Sequence, residues 1–389
     1  MKGGFWARCH LGRFTPFGAC DSERDPDSGC RCVLAWILAC RRAVRSSLGA
    51  VAAFVAASCS ETPTTEAPAP DSARVYVTNE FSGDLSIIDP EARRVVGRVA
   101  LGKRPRGIVP SPDGRLLYIA LSGSPVAGPG VDESTLPPAD KAADGIAVFD
   151  VASGRVLRVL RGISDPETVA VSPDGTRLYV ASEDTGQLVI IDAQRGGRIA
   201  ALPVGGEPEG VAVSPDGSLV YATSEEDSTV AVIDTARNVV RARVGVGLRP
   251  RNALFAPGGA RAFVPGENDS SVTAIDVALD RPTGTTRIEG ENIRPMGIAM
   301  TPDGSHLFVT TGRGRELVRL DTATLRVTGR VAVGQRPWGV ALSSDGRYAF
   351  TANGPSNDVT MVDTRTMQIV ARFPVGERPW GVTVVGRNG

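Results

Sequence analysis

Cysteine is confined to one end of this 389-residue chain: Cys9, Cys20, Cys30, Cys32, Cys40 and Cys59 are all six, and none follows. Everything beyond residue 60 is therefore closed to disulfides, thiolate metal sites, cysteine nucleophiles and Cys-x-x-Cys-His haem attachment. Histidine is nearly absent, with His10 near the start and His306 opening an apolar run. A Ser-His-Asp triad, a His-based zinc site or a His-rich haem pocket needs more imidazoles than that. Net charge is absent too, since 43 basic residues balance 43 acidic ones. Without a global field, neither nucleic acid nor an anionic membrane surface is expected as a partner. Aromatics make up only 5%, but 42% apolar and 22% charged residues are the composition of a soluble globular protein. Acids abound, so a mechanism that uses carboxylates alone stays open.

Residues 1–40 show no periodicity. Arg41-Arg42-Ala43-Val44-Arg45 then precedes an apolar run from Leu48 to Ala57, and Ser58-Cys59 leads into a Pro/Thr/Glu/Ala stretch. A basic segment, about ten apolar residues and a small-residue site is the order of a secretory signal; a membrane span needs about 20 apolar residues. Ala56-Ala57-Ser58-Cys59 resembles a bacterial lipobox, with Ala56 where that pattern usually has Leu or Val. The resemblance implies that Cys59 becomes the lipidated first residue of the mature protein. Residues 1–59 thus read as a leader, and the unsuitable composition of 1–40 places the true start downstream, near Val33 or Val44. The alternative is a disordered extension with one apolar patch. Residues 60–73, poor in apolar side chains, read as a disordered tether. The expected location is the periplasm or cell surface, with the membrane touched only through a lipid on Cys59.

From Arg74 the chain repeats itself. Gly205 to Gly247 holds an apolar run (Gly210 to Val213), a Ser-Pro-Asp-Gly turn, and a second run (Leu219 to Thr223). A polar tip, a third run (Val230 to Ile233), an Asp-containing turn and a fourth alternating run (Val239 to Val244) complete it. Four short runs between Gly, Pro, Asp and Asn turns predict a four-stranded antiparallel meander, which cannot bury both faces alone. The turn glycine recurs at Gly114, Gly175, Gly217, Gly259, Gly304, Gly346 and Gly389, at spacings of 61, 42, 42, 45, 42 and 43 residues. A period of about 40–45 residues with four strands per unit marks a β-propeller blade. One insertion, residues 122–144, explains the long interval.

Seven runs begin with proline (Pro105, Pro166, Pro208, Pro250, Pro295, Pro337 and Pro379), and seven second-strand runs accompany them. The fold predicted for 74–389 is all-β: a seven-bladed β-propeller of four-stranded antiparallel blades. The repeat opens on a second-strand run and ends on a first-strand run, Pro379 to Val385. Closure therefore requires the C-terminal strand to pair with the N-terminal strands, which removes the open edges of the array.

Tyr76-Val77-Thr78-Asn79 is the tetrapeptide that names the YVTN β-propellers, and the resemblance spans residues 74–385. Asp165-Pro166-Glu167, Arg249-Pro250-Arg251, Asn353 to Val359 and Arg378-Pro379-Trp380-Gly381-Val382 are similar to segments of bacterial PQQ-dependent catabolism-associated propeller proteins. The insertion at 122–144 departs from the usual short loop of that subfamily. With the leader and the missing catalytic groups, the chain reads as an exported, non-catalytic binding or scaffold module with no cofactor, and the resemblance implies association with periplasmic PQQ-dependent oxidation systems, without itself holding the quinone. Its partner would be a periplasmic dehydrogenase or cytochrome, or a small anionic ligand in the channel. Two other propeller roles stay open, a lactonase-like hydrolase and a haem d1-type electron-transfer domain.

In propellers of this connectivity the loop into the innermost strand opens on the central channel. Its mouth is expected to be lined by Lys103, Arg104, Arg106, Arg249, Arg251, Arg294, Arg336 and Arg378, opposed by Asp165, Glu167, Glu207 and Glu209. These charges either neutralise one another in ion pairs worth little each, or leave an arginine arc for a carboxylate or phosphate. Trp338 and Trp380, at equivalent positions of adjacent repeats, either stack on a planar ligand or pack the inner strands. The insertion should share this face, where Asp132, Glu133, Asp140 and Asp144 bind a cation, cap the channel or stand in solvent. The Ser-Pro-Asp-Gly turns and the Asp that ends each third strand, from Asp89 to Asp363, read as scaffold. No catalytic residue and no metal site is assigned.

Overall fold

Short β-branched runs between glycine- and proline-bearing turns fold as strands throughout. The computed structural model describes residues 72–126 and 135–386; the leader, Cys59, nearly all of the tether, Asp132, Glu133 and Gly389 lie outside the described residues. Among the described residues 28 strands form seven four-stranded antiparallel sheets. Blade 1 joins the two ends of the repeat region, with Pro379–Val385 innermost, then Arg74–Asn79, Asp84–Asp89 and Arg94–Ala100. The closing pair runs in register from Arg74 opposite Val385 to Val77 opposite Val382. Blades 2 to 7 each take four consecutive strands, opening at Pro105, Pro166, Pro208, Leu254, Ile298 and Pro337.

Burial within a blade follows from what each strand touches. The second strand is covered on both faces by neighbouring blades, so Leu219–Ser224 is buried at every position. The fourth strand is the outer edge, and Val239–Gly245 alternates between exposed and covered. Apolar side chains therefore collect in clusters between blades rather than in one centre. Tyr76, Leu85, Leu117, Ile119 and Phe149 join blades 1 and 2, and Val75, Val77, Phe350, Val359 and Phe373 join blades 7 and 1. Seven such clusters leave no blade without two packed neighbours. Each large side chain buried this way is worth about 1.5–3 kcal/mol.

The turns work as their residues predict. In Ser214–Gly217 the serine hydroxyl donates to Asp216 (2.6 Å), the Ser218 N–H donates to the same carboxylate, and Gly217 closes the turn at φ 74°. The aspartate ending each third strand accepts from backbone N–H groups of the next turn, as Asp234 does from Ala236 and Arg237. The glycine of the Pro-x-Gly segments has a different reason: at Gly381 a Cβ would stand 2.5 Å from the carbonyl oxygen of Arg106 in the next blade.

The inner strands of blades 5 and 6 are shorter than the proline-led runs suggest, covering only Leu254–Phe255 and Ile298–Met300. Pro250 keeps a lone bridge to Gly266, and Met296 donates its N–H to Thr310. In blade 5 the Asn252 side chain caps the N–H of Ala253, so that stretch is held by a side chain instead of a ladder.

Candidate functional site

Three recurring positions of the blades supply the side chains of the channel mouth. The first precedes the inner-strand proline: Arg104, Asp165, Glu207, Arg249, Arg294, Arg336 and Arg378. All but Arg294 have positive φ, from 40° at Arg104 to 56° at Arg249. A non-glycine residue there costs on the order of 1 kcal/mol and persists only where its surroundings fix it. The fixing contact is a backbone bond. The carbonyls of those six residues accept the N–H of Ser122, Glu183, Glu225, Glu267, Gly354 and Glu80, each the first residue beyond a second strand. That bond seats the second position beside the first, so Glu80, Glu183, Glu225 and Glu267 join the mouth. They were not anticipated from sequence, although glutamate directly after a second-strand run in four of seven repeats is a visible signal. The third position is the x of Pro-x-Gly: Arg106, Glu167, Glu209, Arg251, Met296, Trp338 and Trp380. A cavity of about 1230 Å³ opens over these positions, lined by Arg104, Arg106, Asp165, Glu167, Glu209, Arg249, Arg251, Arg336, Trp338, Arg378 and Trp380, among others. Arg294 is not in its wall, and its guanidinium donates to Asn268 (2.8 Å).

Two buried arginines absorb most of the acid. The Arg106 side chain, 8% exposed, pairs with Glu167, lies 3.4 Å from Glu80, 3.5 Å from Glu183 and 3.9 Å from Asp165, and is flanked by Arg104, itself 3.0 Å from Glu80. Arg251 pairs with Glu209 and Glu225 and lies 2.6 Å from Glu267, while Arg249 reaches Glu225 at 2.5 Å. For these arginines the ion-pair alternative holds, but buried, where such pairs matter more than on a surface.

The titration pattern follows from crowding. Burial, the charge of Glu209 and a hydrogen bond with it push the Glu225 carboxyl up to about 10, against the pull of Arg251 and Arg249. Burial also lifts Glu209, but Arg251 and the bonds from Glu225 and Arg251 outweigh it and hold Glu209 below the usual range. Glu183 is pushed up to about 7, by burial first, with Asp165 and Glu209 adding repulsion against the pull of Arg106. Asp165 is held low, since Arg106 and hydrogen bonds from Ser122 and Ser124 outweigh its burial.

Blades 7 and 1 differ. Among the described residues no carboxylate lies within ion-pair distance of Arg336 or Arg378. Arg336 sits over the Trp338 ring at 5.0 Å and Arg378 over Phe81 at 4.5 Å. Burial lowers the Arg336 pKa; Glu267 opposes this, and the like charges of Arg251, Arg313 and Arg378 add to it. Trp338 and Trp380 stack with centroids 5.4 Å apart at 24°, and both line the cavity.

The insertion lies on this face, with Ser124, Pro125, Val126 and Leu136 to Ala139 in the cavity wall. Asp140 pairs with Lys103 at 2.7 Å, and Lys141 pairs with Asp184 of blade 3. Asp144 accepts the N–H groups of Gly123 (2.6 Å) and Asp165 (3.0 Å), which makes it a loop staple instead of a cation ligand. Asp165, Glu167 and Glu183 bring carboxylate oxygens within 4.8 Å of one another, the donor set of a hard cation, but the Arg106 guanidinium already occupies that cluster. His306, the one histidine of the described residues, stands outside the cavity at the far end of its strand, 2.7 Å from the Ser305 hydroxyl.

Seven stacked sheets, interlocked termini and a mouth divided between paired charges and a basic, aromatic wall define a seven-bladed β-propeller of the YVTN-repeat kind. The chain belongs to the YncE-like β-propeller family, whose model matches residues 38–388. It is 27% identical over 137 residues to Antigen Lp49 of Leptospira interrogans, a match covering 28% of this chain and 30% of that relative. Among solved structures, a putative 6-phosphogluconolactonase of Bacteroides uniformis aligns with TM-score 0.67 at 17% identity, over 81% of this chain and 100% of the other. The dihydro-heme d1 dehydrogenase NirN aligns with TM-score 0.60 at 18% identity, over 82% of this chain and 76% of the other. At such identities the likeness is one of fold.

Proposed function

We propose that this protein is an exported, non-catalytic binding module, anchored through Cys59, whose ligand or partner engages the basic, aromatic wall of the channel mouth. One observation carries the reading: Arg336 and Arg378 face the cavity with no carboxylate at ion-pair distance among the described residues, while Arg104, Arg106, Arg249 and Arg251 each have at least one. A guanidinium held over an aromatic ring keeps its donor edge for a carboxylate or phosphate. The small-ligand reading predicts that anions raise the thermal midpoint and that Arg336→Ala with Arg378→Ala removes the effect; an unchanged shift would discard the wall. In the scaffold form of the proposal, a periplasmic dehydrogenase or cytochrome of a PQQ-dependent system docks its acidic surface here, and pull-down by wild type but not by the double variant tests it. Detection of residues 1–40 on the mature protein by mass spectrometry would refute the anchored form.

A second reading, lactone hydrolysis, is favoured by Glu183. Its carboxyl lines the same cavity and is pushed up to about 7, where a general base for water works best. Hydrolysis of sugar lactones that Glu183→Gln abolishes would establish it. The haem d1 reading has no comparable side chain in its favour, since the cavity wall holds no histidine among the described residues.

A further inference from the structure

The aromatic half of the wall says what kind of anion fits, an inference that rests on the binding reading above. Beyond residue 36 the chain has only two tryptophans, Trp338 and Trp380, and they meet in this cavity. Aromatics that serve packing here are sealed: Tyr76, Tyr179 and Tyr221 are at most 1% exposed. The two indoles are instead half-buried, and Phe81 beside them is 46% exposed.

The two rings are not equivalent. Trp338 has Trp380 against it and the guanidiniums of Arg251 and Arg336 at 5.1 and 5.0 Å. Trp380 has Trp338 as its one ring or guanidinium partner among the described residues. A flat conjugated ring extending the Trp338–Trp380 stack would find offset π-stacking there. Its acidic group would fall between Arg336 and Arg378, which sit over Trp338 and Phe81 and have no carboxylate at ion-pair distance among the described residues. Blades 3 and 4 face this wall with Asp165, Glu167, Glu183 and Glu209, so an extended polyphosphate would run into carboxylates where a compact carboxylate would not.

We infer that the wall formed by Trp338, Trp380, Arg336 and Arg378 is a site for a planar, π-conjugated carboxylate, stacked on Trp380 with its carboxylate on the two arginines. Calorimetric titration of the full chain with naphthalene-2-carboxylate, cyclohexanecarboxylate and inorganic phosphate tests it. The flat acid should bind about tenfold tighter than the puckered one of equal charge. Trp380→Leu should erase that ratio while leaving weak binding of both, and Arg336→Gln with Arg378→Gln should abolish both. Should Trp380→Leu fail to fold, the ratio on the unaltered chain carries the test. Equal affinity for the two carboxylates, or a ratio that survives Trp380→Leu, overturns the planar-ligand inference and leaves the anion reading standing. Phosphate binding tighter than either acid overturns the carboxylate class. No binding of any anion, or full binding by the double glutamine variant, overturns this inference and the small-ligand reading together.

Discussion

Arg251 is the residue on which half of the channel mouth depends. It holds three glutamates that would otherwise face one another out of water, and the crowding pushes the Glu225 carboxyl well above its ordinary range. Removing one partner of a buried ion pair strands the others, at a cost of about 3–5 kcal/mol. Arg251→Met is therefore expected to lower stability by about that much in urea unfolding, and adding Glu209→Gln should recover part of it. A loss under about 1 kcal/mol, the range of exposed pairs, would show the cluster to be solvated.

Glu183 gives a pH signature. Its folded-state value, about 7, lies above the ordinary 4.5, so the folded protein keeps a proton that the unfolded chain has released. Its contribution is whole below the unfolded value and is lost as pH rises through the folded one. Glu183→Gln cannot suffer that loss. The variant should gain on the parent between about pH 5 and about pH 7 and hold a constant advantage above; parallel stability curves across that range would reject the shifted carboxyl.

At the scale of the strand and turn, the chain was legible almost residue by residue. Proline, a side-chain-bonding aspartate and a positive-φ glycine specify the Ser-Pro-Asp-Gly turn locally, and the turn forms as those residues dictate. Gly217→Ala would place a Cβ at φ 74° and 3.1 Å from the Pro173 ring, so a loss of about 1–2 kcal/mol is expected, read as a lower urea midpoint with unchanged slope. What the local pattern did not carry was the shortening of the inner strands in blades 5 and 6, where side-chain and single backbone contacts replace ladder bonds. Nor did it carry the role of the glutamates after the second strands. Each is placed by a backbone bond to a residue 18 positions away or, for Glu80, near the other end of the chain.

For the molecule as a whole, the seven inter-blade clusters form a cycle, and a cycle has one weakest point, its seam. The strand Pro379–Val385 covers Val75, Tyr76 and Val77, all at most 1% exposed. A chain ending at Arg378 uncovers that strand and opens blade 1 toward both blade 7 and blade 2, along two clusters at once. It is expected to lose its cooperative unfolding transition and to be cut rapidly by protease, whereas a truncated chain as resistant as the parent would disprove closure by the C-terminal strand. The same cut deletes Trp380, so seam and proposed binding wall share one strand.

By itself the sequence determined the number of blades, their four-strand make-up, the turn chemistry and the way the ends meet. All of these follow from local conformational preference and from counting a repeat. It also named most of the charged residues of the mouth. Only the tertiary structure decided which charges are spent on one another. Arg104, Arg106, Arg249 and Arg251 are neutralised because acidic blades 3 and 4, with Glu80 and Glu267, bring carboxylates within a few ångströms of them, and Arg336 and Arg378 are left because Trp338, Trp380, Gly354 and Thr311 stand where glutamates stand elsewhere. Pairing depends on distance around a ring, and neighbours across that ring are not neighbours in the chain.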